Sequence, residues 1–100
     1  MHKFITFIKM NNNNQAVANT VNLSQLVGFR VYQKETHLVV NFLTVHDDTK
    51  KTGSFHFAQK CLVSDRLVKD LNQAILGFIM GPGAFFDLDE AFESLCSVDG

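Results

Sequence analysis

Four histidines, two cysteines and a few close-set acids are the residues of this chain best suited to chemistry. His37 and His46 stand nine positions apart in a run that reads as one strand, so they face opposite ways. His46 and His56 approach each other across a proposed hairpin, near Asp47 and Asp48. Two imidazoles and a carboxylate suit zinc or iron. No HxH or HxxxH spacing supports that ligand set, and a strand-end histidine beside a solvated turn accounts for the same residues. Cys61 lies just before a helix start, a place that activates thiols, with His56 close in sequence. A small apolar filler between strand and helix is the simpler account. Asp47-Asp48 and Asp89-Glu90 are chain neighbours whose side chains diverge, so they read as solvation and capping instead of acid–base work. Gly77, Gly81 and Gly83 follow a helix where a phosphate cradle would open one. No catalytic residue, metal or cofactor is therefore assigned, and the chain is read as a non-enzyme.

The best candidate binding face is Arg30, Tyr32 and Lys34. They alternate along one strand and so share one side of it. Arg and Tyr are enriched at interfaces, although the wet side of a half-buried strand has the same look. The formal net charge of −1, from nine basic and ten acidic residues, argues against a phosphate backbone as partner. The acids concentrate late, at Asp87, Asp89, Glu90, Glu93 and Asp99, which leaves room for a basic patch on the folded surface.

These residues sit in a readable series of elements. Residues 2–10 alternate as a strand, and Asn11–Asn14 suit a turn because Asn tolerates left-handed backbone. Residues 15–23 resume as a strand, with Asn19 marking a bulge or edge. Ser24 and Gln25 form a corner, with room for one helical turn. The strand after it turns Val27, Phe29 and Val31 to one side, and residues 33–36 make a tight hairpin. The strand 37–45 is apolar on both faces, which predicts cover on both sides. A charged loop follows, then a strand with Phe55 and Phe57 opposite His56.

Ser64 is a good N-cap, Asp65 favours the helix dipole, and Val63 with Val68 forms a hydrophobic staple. Apolar residues at 67, 68, 71, 74, 75, 78 and 79 give helical periodicity. The stretch 74–80 lacks polar side chains and predicts a helix end enclosed on nearly all sides. Gly81-Pro82-Gly83 stops the helix, with Gly supplying the C-terminal cap conformation. Asp87 and Glu90 then open a short amphipathic helix whose stripe is Leu88, Phe92, Leu95 and Cys96.

The predicted class is α+β: about five antiparallel strands in one sheet, a main C-terminal helix and a short helical tail. Residues 1–80 hold the sheet and main helix. Residues 81–100 hold the break and a Phe-rich acidic tail, either part of the same domain or exchanged with a partner. The order of the strand ending Val21–Val31 and the helix opened by Ser64-Asp65-Arg66-Leu67-Val68 resembles small β-meander modules of the flagellar FlbD-like type. More loosely, it is similar to pleckstrin-homology-like modules. The resemblance implies a non-enzymatic interaction domain over roughly residues 3–76.

The second apolar face of strand 37–45 asks for a cover: a curled sheet, the tail, or another subunit. A homodimer or other homo-oligomer is expected, with Ile79, Phe85, Phe86, Leu88, Phe92 and Leu95 at the interface. Another protein is a further candidate partner. No apolar run approaches the about 18 residues of a membrane span, and a reduced cytoplasmic setting suits two scattered cysteines. The function expected is a small interaction or structural module. The alternative is a ligand- or nucleic-acid-binding module using Arg30, Tyr32 and Lys34.

Overall fold

The computed structural model describes residues 2–45 and 51–99, with side chains as far as Cys96. Strand β1 (Phe4–Met10) and strand β2 (Ala16–Asn22) form a hairpin around the asparagine run. Asn14 takes a φ of 60°, and the Asn11 Oδ1 accepts from the backbone N–H groups of Asn13 and Gln15. The pairing runs unbroken from Phe4 opposite Asn22 to Met10 opposite Ala16. Asn19 therefore sits opposite Phe7 in regular register, and the bulge expected there is absent.

A 3-10 turn at Leu23–Gln25 makes the corner, with the Asn22 side chain accepting from the Ser24 N–H at 3.0 Å. Strands β3 (Leu26–Lys34), β4 (His37–Val45) and β5 (Thr52–Lys60) follow as an antiparallel meander. Its register shifts between Leu26 and Gly28, so the irregularity falls at Val27, which is exposed, and not on the side of Phe29 and Val31. Helix α1 (Asp65–Met80), strand β6 (Phe85–Asp87) and helix α2 (Leu88–Asp99) complete the order.

The class is α+β, but the expected single five-stranded sheet is two sheets of three strands, β2-β1-β6 and β3-β4-β5. The physical reason is the corner at Leu23–Gln25, which ends the β2 ladder before β3 begins. The third strand of the first sheet comes from the tail. Phe85, Phe86 and Asp87 pair in parallel with Phe4, Ile5 and Thr6. Three residues are too few to show strand alternation, so the sequence reads Phe85 and Phe86 as part of the helical tail, and the structure makes them a strand.

The core lies between the sheets and under the helices. Ile5, Phe7 and Val21 meet Leu38, Val40, Phe42 and Phe57, together with Leu67, Leu71 and Ile75 of α1 and Leu88 and Phe92 of α2. Phenylalanine rings link these layers. Phe7 lies 6.2 Å from Phe42 and 5.8 Å, edge-on, from Phe57, and Phe57 lies 5.7 Å from Phe92. Fully burying one such ring contributes about 1.5–3 kcal/mol.

Helix α1 begins as its sequence dictates: the Ser64 Oγ accepts from the Leu67 N–H at 3.1 Å. Its end differs from expectation. Leu76 is 38% exposed and Met80 79% exposed, so the apolar second half is open on one side. Only the face of Leu67, Leu71 and Ile75 is buried, because the core touches one stripe of the helix. Gly81 caps in an extended conformation, φ −91°, not a left-handed one. Glycine is needed there for space: a Cβ would stand 2.9 Å from the Gly77 carbonyl oxygen.

The tail packs on its own chain. Asp87 caps α2 by accepting from the Glu90 N–H at 3.2 Å, and the Asp89 carboxylate accepts from the Ile8 N–H at 2.7 Å where β6 runs out. The radius of gyration of 13.7 Å is close to the about 13 Å of a single 100-residue domain.

Candidate functional site

The side of β3-β4-β5 that faces away from the core is the most distinctive surface of the molecule. Strand alternation decides its membership. Leu38, Val40, Phe42 and Thr44 point into the core, so His37, Val39, Asn41 and Leu43 point outward, where Val39 is still buried and Leu43 is exposed; the cover expected on this second side is partial. Pairing then sets the cross-strand rows. Arg30, Asn41 and His56 form one row; Tyr32, Val39 and Ala58 the next; Lys34, His37 and Lys60 the third. Gly28, Leu43 and Ser54 form a row at the opposite end.

The rows of this face carry Arg30, Lys34 and Lys60, two histidines and no carboxylate. Arg30, Lys34, His56 and Lys60 are exposed, while Tyr32, His37 and Asn41 are half-buried. The Arg30 guanidinium lies 5.4 Å from the Tyr32 ring centre, a cation–π distance. The Asn41 Nδ2 donates to the Tyr32 Oη at 3.2 Å, while the Asn41 Oδ1 is buried without a hydrogen-bond partner among the described residues. Ser54 and His56 share a hydrogen bond at 3.0 Å. Where Gly28 leaves open space, a recess of about 400 Å³ opens beside Arg30, Asn41, Leu43 and Ser54.

The sequence placed Arg30, Tyr32 and Lys34 together, and one strand face does hold all three. It missed Asn41, His56, His37 and Lys60 as their neighbours. Each strand's own alternation was visible, but register across strands depends on turn geometry that alternation does not contain.

Other candidate groups disperse. His46, Asp47 and Asp48 lie outside the described residues, and among those that are described no cluster of three His, Cys, Asp or Glu has metal-binding spacing. His56 is on the open face, whereas Cys61 packs against the core, so the two do not form a thiol–imidazole pair. Cys61 and Cys96 do not form a disulfide with each other. No helix among the described residues is long and apolar enough to cross a membrane.

The residues expected at a subunit interface fall in three environments. Leu88 and Phe92 are inside the chain's own core. Ile79, Phe86 and Leu95 are half-buried against it, with the Phe86 ring 5.2 Å from Phe78. Phe85 is 75% exposed and stacks at 5.8 Å on Phe4, on the outer side of β2-β1-β6. Ile8 and Met10 are also exposed and share that side by alternation from Phe4.

Comparison with protein-family models, with curated proteins and with solved structures finds no match.

Proposed function

We propose that this protein is a small non-enzymatic interaction module whose working surface is the open face of β3-β4-β5. The observation that carries this reading is the row register. It gathers Arg30, Lys34 and Lys60 on one flat face with no acid among them, in a chain whose net charge is −1. Segregating like charges costs self-repulsion. An anionic partner offsets that cost on binding and is steered to the face over roughly a Debye length. The test is retention on immobilised heparin at neutral pH and low salt. The native chain should be held despite its net negative charge, and a variant carrying R30E, K34E and K60E should pass through. Equal retention of both would overturn the reading.

A second reading is self-association through the outer side of β2-β1-β6. The exposed Phe85–Phe4 stack favours it, together with Ile8 and Met10 on the same side. Among the positions pairing on that side, Asp87 alone is charged, so two copies could meet there across a two-fold axis with little like-charge repulsion. Sedimentation at micromolar concentration tests it: a dimer is expected, and a monomer at all concentrations counts against it.

A further inference from the structure

We infer that the anion taken by the open face of β3-β4-β5 is a single-stranded nucleic acid, an inference that rests on the binding role proposed for that face.

Charge alone would suit any anion. What narrows the class is the mixture of groups among the charges. Single strands are held by cations that track the phosphates and by flat side chains on which bases stack, including Tyr, His and the Arg guanidinium. Tyr32, His37 and His56 are flat groups set between Arg30, Lys34 and Lys60, one or more in each of the three rows. The Arg30 guanidinium already lies within cation–π range of the Tyr32 ring, at 5.4 Å.

The dimensions agree. Rows two residues apart along a strand are about 7 Å apart, and neighbouring strands about 4.8 Å apart. Arg30 and Lys34 therefore bracket Tyr32 over about 13 Å along β3, and Lys34 and Lys60 bracket His37 over about 10 Å across the sheet. That is a platform for a few nucleotides with cations at three of its corners. Beyond Arg30, the recess of about 400 Å³ at Gly28 offers a flat base a place to enter, with Asn41 and Ser54 at its wall as hydrogen-bonding groups.

An acidic peptide is the competing occupant, and it fits less well. Extended peptides dock by adding a strand to a sheet edge, and acidic motifs by pairing with Arg clusters, whereas this face carries a single Arg. The cations here project from the face, not along an edge. A duplex also fits poorly, because its bases are stacked away from a flat sheet. The even charge balance of the whole chain does not oppose the inference. The acids of α2 belong to a helix packed against β1 and α1; Asp89 and Glu93 border the β5 edge beside Ala58, but no acid stands in a row of this face.

The test uses the full chain and fluorescence anisotropy with four labelled probes: a twelve-nucleotide oligo-U, a twelve-nucleotide oligo-dT, a twelve-base-pair duplex and a twelve-residue poly-glutamate. One or both single strands should bind more tightly than the duplex and the peptide. With three cations engaged, the logarithm of affinity should fall against the logarithm of salt with a slope of about −2. Tyr32→Ala should weaken single-strand binding about tenfold with the slope unchanged, and Tyr32→Phe should keep most of it. Lys34→Ala should make the slope shallower by about 0.7. Circular dichroism confirms that each variant is folded. If poly-glutamate binds as well as the single strands, the face is an anion site but the nucleic-acid inference falls. If none of the four probes binds, both the inference and the reading beneath it fall.

Discussion

The Lys3 ammonium donates to the Phe78 carbonyl at 2.9 Å, across 75 positions of sequence. It also donates to the carbonyls of Ile79 and Gly81 and lies 5.1 Å from the Phe78 ring centre. Helix α1 has no basic residue in its own last turn, so the strand side supplies the cation that its negative end favours. Lys3 is only 7% exposed, so these contacts are poorly screened by water. Lys3→Met should cost about 1.5–3 kcal/mol, the range for losing hydrogen bonds to a charged group. Urea unfolding checks this, and a loss below about 0.5 kcal/mol would show the cap to be idle.

Asn41 should trade stability for binding. Its buried Oδ1 lacks a partner among the described residues, and the side chains flanking it along β4 on the same side are Val39 and Leu43. Removing an unsatisfied polar group in favour of an apolar one of similar size gains about 1 kcal/mol. Asn41→Val should therefore raise Tm by about 4–8 °C while weakening polyanion binding. A variant that binds as before would remove Asn41 from the site.

The β3–β4 turn carries another local cost. Glu35 has a φ of 56°, a left-handed conformation unfavourable to a side chain by about 1–2 kcal/mol. Glu35→Gly relieves it but loosens the unfolded chain, leaving a net gain of about 0.5 kcal/mol. Thermal melts should show a rise of a few degrees. A fall in Tm would mean that Glu35 makes compensating contacts.

Phe92 offers a test of the tail's allegiance. Its ring meets Phe57 edge-on at 5.7 Å within the same chain. Phe92→Ala should cost about 3–5 kcal/mol, a large share of a small domain's stability. Because the contact is within one chain, the loss should be independent of protein concentration. A loss that shrinks as the concentration rises would place the ring in a partner instead.

Phe85 probes the outer side of the other sheet. Phe85→Ser should leave stability almost unchanged, since the ring is largely exposed. The sedimentation coefficient should fall to that of a monomer if copies meet there.

Much of this architecture was readable from local rules. Ser64 and Asp87 announced their helices through capping chemistry, and the asparagine run announced its turn. Phe55 and Phe57 declared their common side by alternation. What escaped were relations set by distant parts of the chain. Nothing near Lys3 indicates a helix end 75 positions later. Nothing in Phe85-Phe86-Asp87 identifies Phe4 as a pairing partner. The outward face of β3 was legible for the same reason as Phe55 and Phe57, but its extension through Asn41, His56 and Lys60 needed the register of three strands at once.

The parallel pairing of β6 with β1 also has a consequence in time. β1 is the middle strand of its sheet, yet one of its two neighbours lies about eighty positions further along the chain. A chain made from its N-terminus must carry β1 with one edge unpaired until Asp87 has emerged. The Ile8 N–H and the Lys3 ammonium wait still longer or nearly as long, for Asp89 and for the end of α1. Such long-range closure slows folding and leaves a strand edge open to wrong partners meanwhile. The free edge of β1 is thus closed only by a segment that follows helix α1.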